Sequence, residues 1–232
     1  MSSSIRLHIT AEGQTEERFV KDTLVNHLST FNIFTDVRCV LTSKDKQKKY
    51  RGGLISYQKA KSDIQHWLKS DANKDARYTT MFDLYALPND FPGYEESIKI
   101  RDPYEKIESL EKALYEDIND RRFIPYIQLH EFEALLFSKP SMLELEYFDH
   151  DKELKQLEKI LTSFSNNPEL INDKPETAPS KRIINLIPEY EGNKVNVGAV
   201  IASLIGIEHL RKTCQHFNEW LIKIENLPYN ND

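Results

Sequence analysis

The chain has 232 residues, with 31 Lys plus Arg against 37 Asp plus Glu, a formal net charge of −6, and 39% hydrophobic residues. These values exclude a disordered or collagen-like chain and a strongly basic nonspecific nucleic-acid binder. No apolar run approaches the roughly 18 residues of a membrane span.

The length suits one large domain, or a medium domain with a smaller appendage, able to bury a core without disulfide staples. Residues 5–10 (IRLHIT) alternate apolar and polar and predict a strand. A turn at Ala11, Glu12 and Gly13 follows, with Thr15 expected to cap the next helix. Phe19, Val20, Leu24 and Leu28 then recur at helical spacing. Residues 32–42 (NIFTDVRCVLT) are β-branched and predict a second strand. A basic loop over residues 44–51 is closed by Gly52 and Gly53. Residues 54–70 predict a helix with Tyr57, Ala60, Ile64 and Trp67 inward. Residues 78–85 (YTTMFDLY) predict a third strand, ended by a Pro- and Gly-bearing loop over 86–94. An amphipathic helix is expected over 104–118, a fourth strand over 123–129 and a further helix from His130 to about residue 137.

The remainder reads as helical, over 153–164, 197–205 and 210–224, with Pro168, Pro175, Pro179 and Pro188 crowding a polar stretch between. The strand–helix order predicts an α/β fold: a mainly parallel sheet of about four strands flanked by helices over residues 1–140, with a helical C-terminal portion over 141–232 packed on it. The first ten residues carry one Arg and no apolar core, so no secretory signal is expected. Cys39 and Cys214 lie far apart and cannot make a zinc site alone, and a reducing, cytoplasmic setting is expected.

In parallel sheets ligands bind at the carboxyl ends of the strands. Strand one is followed by Glu12 and Glu16, strand three ends at Asp83 with Asp90 shortly after, and strand four is followed by His130, Glu131 and Glu133. A parallel sheet puts all these carboxylates on one edge. Crowded carboxylates repel and raise one another's pKa, a repulsion that a hard divalent cation relieves. The expected cofactor is Mg2+ or Mn2+, held by Glu12, Asp83, Glu131, Glu133 and Asp90, and the expected chemistry is metal-assisted phosphodiester hydrolysis. Asp83 is the most informative of these, because Asp is depleted in apolar strands and costly to bury. Asp90 has an alternative role in shaping its loop. On a helix Glu131 and Glu133 point about 200° apart, so at most one is expected to face the edge. His130 reads equally as a ligand and as a structural histidine.

The Glu12–Gly13–x–Thr15–Glu16 turn resembles the acidic motif of Toprim domains, the fold shared by topoisomerases, primases and the overcoming-lysogenization-defect (OLD) nucleases. In the OLD nucleases that motif carries two glutamates four apart, matching Glu12 and Glu16. Asp83 stands where Toprim proteins place an Asp-x-Asp or Asp-x-Gly pair. Here the pair reads Asp83–Leu84–Tyr85, so its second member departs, and Asp90 or Glu131 is the replacement expected. The segments EGQTEERFV, TTMFDLYALPNDFPG, RFIPYIQLHEFEALLF, PELINDKPETAPSKRI and CQHFNEWL, spread over nearly the whole chain, are similar to the bacterial domain-of-unknown-function 4276 family. The resemblance implies a Toprim-like, metal-binding nuclease, a partner ATPase and a setting in anti-phage defence. It also implies a catalytic lysine near the metals, for which Lys181 is the candidate.

Ser180 is expected to cap a helix beginning near Lys181. Lys181 and Arg182 in its first turn oppose the helix dipole, which implies an anionic neighbour, either a phosphate or the carboxylate cluster. Lys46, Lys48, Lys49 and Arg51 of the basic loop, with Arg182, are candidates for contacts to a nucleic-acid backbone, a solvated loop being the alternative. Trp67 and Trp220 read as core. Two functions follow: a metal-dependent nuclease using Glu12, Glu16 and Lys181, with nucleic acid as substrate, or a noncatalytic subunit that binds a partner ATPase or nucleic acid. A homo-oligomer is compatible with either. A third reading is another phosphotransfer reaction on the same site, such as nucleotide hydrolysis; with seven glycines and no Walker loop, ATP hydrolysis of the P-loop type is not expected.

Overall fold

The computed structural model describes residues 4–40, 54–172 and 175–229. Four strands run in the order β2 (Ile33–Cys39), β1 (Ile5–Ala11), β3 (Ala76–Asp83) and β4 (Phe123–Ile124), and β5 (Ile127–Gln128) also pairs with β3. Every pairing is parallel. This is the expected α/β architecture, with one strand more. The expected fourth strand is split into β4 and β5 around Pro125 and Tyr126. Proline has no N–H for the ladder. Tyr126 turns instead to the side chain of Thr80, whose hydroxyl donates to the Tyr126 carbonyl at 2.8 Å and lies 3.1 Å from the Tyr126 amide.

Side chains alternate across the sheet, and each face has its own core. Ile5, Leu7 and Ile9 of β1 with Met81 of β3 face one cluster, while Ala76, Tyr78 and Phe82 of β3 face the other. The second cluster is closed by α3 (Tyr57–Ser70) and α5 (Pro103–Ile118). Local chemistry sets the bounds of α5. Asp102 accepts from the amides of Tyr104 and Glu105, Pro103 occupies the first turn, and Asn119 ends the helix with φ 53°. A short α4 (Tyr94–Ser97) precedes it.

The first cluster is closed by α1 (Gln14–Phe19), a π-helical segment Val20–Leu24 and α2 (Val25–Ser29), together with the C-terminal helices. These are α6 (Asp151–Ser163), α7 (Pro179–Leu186), α8 (Lys194–Ile205), α9 (Ile207–Thr213) and α10 (Gln215–Glu225). The one helix expected over 210–224 is two, because Cys214 is extended between α9 and α10. The cap of α1 is Gly13, so Thr15 lies inside the helix. Both tryptophans are buried as expected. Trp220 stacks on Tyr126 at 4.4 Å and donates its indole N–H to Thr79 at 3.0 Å. Among the described residues no helix is long and apolar enough to cross a membrane.

A buried polar network ties α10 to the rest. Glu169, fully buried, accepts from the amides of His216 and Phe217 at 2.9 and 3.0 Å and from the Tyr104 hydroxyl at 3.1 Å. His216 in turn pairs with Glu111 at 2.9 Å. Replacing Glu169 with Ala orphans two buried amides, so Glu169→Ala is expected to lower stability by about 2–3 kcal/mol in denaturant unfolding. A change below about 0.5 kcal/mol would show that the network is not structural.

Candidate active site

The site forms where β1, β3 and β5 end side by side. The register sets Ala11 opposite Met81 and Asp83 opposite Gln128, so Glu12, Asp83 and Glu131 emerge on one edge. Glu12 is clamped there. Its amide donates to the Met81 carbonyl at 3.0 Å, and its Oε2 accepts the Asp83 amide at 2.9 Å. Glu16 is held by the first turn of α1, reaching back to the Gly13 amide at 2.9 Å. That bond is half of a capping box, the glycine having no side chain to return it.

Glu131 and Glu133 do not share a helix. Glu131 is extended (φ −142°, ψ 162°) ahead of a 3-10 helix Phe132–Ser138, so the angle between helical neighbours does not apply to the pair. Both of their charges act on Glu12 and on Asp83. Glu133, 6% exposed, accepts from the Tyr190 hydroxyl at 3.3 Å and faces the Lys194 ammonium at 3.7 Å. Glu131 lies against the start of α7, accepting the Ser180 amide at 2.8 Å and its hydroxyl at 3.2 Å. Ser180 is therefore not the cap of that helix, a place held by Ala178. The anion expected beside Lys181 and Arg182 is the Glu131 carboxylate, bound at a helix N-terminus.

Electrostatics follow from this crowding. Burial, with opposition from backbone amides and reinforcement by Glu131 and Glu133, raises Glu12 to about 7. Burial and then the charge of Glu12 raise Glu16 to about 8. Burial and then Glu12 and Glu16 hold Asp83 well above the usual carboxylate range. Burial raises Glu133, against the pull of Lys194. The Asp83 Oδ1 atom is shielded from solvent and has no hydrogen-bond partner among the described residues.

The other expected residues lie elsewhere. Asp90 is exposed and accepts from the Tyr57 amide at 3.0 Å and the Ser56 hydroxyl at 3.1 Å, so it caps α3 and is not one of the groups acting on the cluster. Lys181 is exposed on the first turn of α7. Arg182 donates to the Thr177 carbonyl at 2.6 Å and lies over the Phe164 ring. His130 is buried, in the left-handed region at φ 65°, where it turns the chain out of β5. Lys46, Lys48, Lys49 and Arg51 lie outside the described residues. Tyr190 and Lys194 were missed by sequence reasoning, because nothing in their local pattern points at a strand end more than fifty residues earlier.

The donor set is all oxygen, which suits magnesium or manganese rather than zinc. The partnerless Asp83 Oδ1 and the unrelieved like charge fit such an ion in their chemistry. Among the described residues no three of these side chains converge as a ready-made ligand set. Glu12, Glu16 and Glu131 are each turned onto a backbone amide.

Residues 11–225 match the family described as Domain of unknown function (DUF4276). No curated protein matches the chain. Its structure is similar to that of the C-terminal region of the Xanthomonas campestris pv. campestris OLD protein, at 13% identity over 94% of this chain and 95% of that one, with a TM-score of 0.40.

Because Glu12, Glu16, Asp83 and Glu133 all bind protons more tightly folded than unfolded, the protonated cluster favours folding at acid pH. That contribution is lost as pH rises through the folded values. In chelator, the unfolding free energy is expected to fall between pH 5 and 8.5, and Glu16→Gln, which keeps the bond to Gly13, should flatten the fall. Identical slopes in the two proteins would contradict the crowding.

Proposed function

The chain belongs to the DUF4276 family, and we propose that it is a metal-dependent nuclease that hydrolyses phosphodiester bonds in a cytoplasmic, bacterial anti-phage defence system, working with a partner ATPase. The observation that carries this reading is the set of buried, mutually repelling carboxylates on one edge of a parallel sheet, with an orphaned oxygen on Asp83. The resemblance of the Glu12–Gly13–x–Thr15–Glu16 turn to the Toprim acidic motif supports it.

Glu12, Asp83, Glu131 and Glu133 would hold one or more divalent cations. Bound there, Mg2+ or Mn2+ supplies charge neutralisation at the phosphate. Glu16, its proton affinity raised, would take the proton of the attacking water. A lysine offsets charge developing on the phosphate oxygens. Lys181, next to the Ser180 that holds Glu131, and Lys194 are the candidates, and the ion pair with Glu133 favours Lys194. Tyr190 positions Glu133, and Ser180 positions Glu131.

The test is manganese titration by calorimetry together with cleavage of labelled DNA and RNA, with and without partner candidates. Asp83→Ala is expected to lose manganese binding and to cut at least 100-fold more slowly, at unchanged circular dichroism. Lys194→Ala is expected to slow cleavage at least tenfold, and Lys181→Ala by less. Undiminished cleavage by pure Asp83→Ala would sink the assignment.

A second reading, a noncatalytic subunit binding a partner ATPase or nucleic acid, is favoured by the departure at Tyr85 from the expected acidic pair and by the engagement of three carboxylates on backbone amides. It predicts a stable complex and no metal-dependent turnover.

A further inference from the structure

Beside the acidic edge lies a pocket of about 630 Å3, lined in part by Tyr85, Tyr94, Arg101, Lys106, His130 and Asn172. Its size falls within the ~300–1,000 Å3 of small-ligand sites. Among the described residues its lining holds two basic side chains and no carboxylate, in a chain where acids outnumber Lys and Arg by 37 − 31 = 6. Neither the Arg101 nor the Lys106 side chain has an ion pair or hydrogen bond among the described residues. Two cations gathered without acidic partners favour an anionic occupant.

The pocket and the edge are built from the same two chain segments. Leu84 and Tyr85 of the wall follow Asp83 directly, and His130 of the wall precedes Glu131. The Tyr85 amide donates to the His130 carbonyl at 2.9 Å, which locks the two segments together. The wall of the pocket is therefore one residue along the chain from Asp83 and from Glu131. The remaining lining is suited to a nucleobase. Tyr85 is 45% exposed and shares the wall with Tyr94, offering aromatic surface for stacking. Asn172 adds an amide side chain to the wall, and among the described residues its Oδ1 has no hydrogen-bond partner.

We propose that this pocket binds one unpaired nucleotide of the nucleic-acid substrate, adjacent to the linkage presented to Glu12 and Asp83. Arg101 and Lys106 take its phosphate, Tyr85 and Tyr94 its base face, and Asn172 its base edge. A paired base keeps its faces stacked and its edge occupied, so the pocket selects single-stranded or unpaired segments over intact duplex. The inference rests on the phosphodiester reading for the reaction at the edge, but the binding step is measurable without cleavage.

The experiment is fluorescence anisotropy with a labelled single strand of about 12 nucleotides and its blunt duplex, in chelator and again with calcium. The single strand is expected to bind at least tenfold tighter than the duplex. Arg101→Ala/Lys106→Ala should weaken it roughly tenfold and reduce the salt slope by about one. Tyr85→Ala should weaken it roughly tenfold at an unchanged salt slope, and Tyr85→Phe, which keeps the ring, should restore it. Thermal melts of each variant check the fold. Equal affinity for duplex, wild-type affinity in both the cation and Tyr85→Ala variants, or no binding under either condition overturns the proposal. The nuclease reading fails separately: a single strand bound as expected but never cut with magnesium or manganese would remove the reaction and keep the pocket.

Discussion

Glu12 carries the central constraint of this molecule. It sits at the end of β1, and its carboxylate takes the amide of Asp83 at the end of β3. The bond joins two parallel strands just where their ladder runs out, so it serves the sheet. It also fixes one carboxylate beside another in a shielded corner. Glu16 arrives on α1 and Glu131 and Glu133 on the segment after β5, and burial then raises the proton affinity of Glu12, Glu16, Asp83 and Glu133. A sheet stabilised for its own sake would not gather like charges at its edge, since an apolar set of similar volume avoids the desolvation. On the proposed reading, a bound cation offsets that repulsion.

The C-terminal helices are part of that place. Ser180 of α7 holds Glu131, while Tyr190 and Lys194 hold Glu133. Gly198 of α8 makes room for them. A Cβ there would come within 3.0 Å of the Tyr190 hydroxyl and 3.3 Å of the Thr15 methyl. The backbone of α8 thus approaches α1 closely, and the helix that carries Glu16 is braced by the helix that carries Lys194. One core continues through both halves, from Ile5 on β1 to Ile224 on α10. Movement of the C-terminal helices would therefore be felt directly by the carboxylates, a physical route for a partner protein to alter the site.

Charge is segregated along the edge. The carboxylates occupy the ends of β1, β3 and β5, and the neighbouring pocket, walled by Tyr85 and His130, carries Arg101 and Lys106 with no acid among its described lining residues. A polyanion lying across both would meet attraction on one side and repulsion on the other, unless cations offset the repulsion.

Short-range pattern by itself determined much of the fold. The alternation of IRLHIT, the β-branched second strand and the Asp102–Pro103 start of α5 are written in adjacent residues, because strand pleat and helix capping are local. The acids at the strand ends were legible for the same reason: once the sheet is parallel, Glu12, Asp83 and Glu131 must share an edge. Tertiary structure decided the rest. Pro125 broke the fourth strand, and Thr80, distant in sequence, took over the amide of Tyr126. Asp90, legible as an acid after a strand, was drawn away to cap α3. Glu131 is extended ahead of the 3-10 helix that carries Glu133, so no helical angle relates the two. Lys194 met Glu133 only through the packing of α8, and no periodicity encodes a contact between residues 61 positions apart (194 − 133). Which charges face one another is set by the meeting of surfaces that lie far apart along the chain.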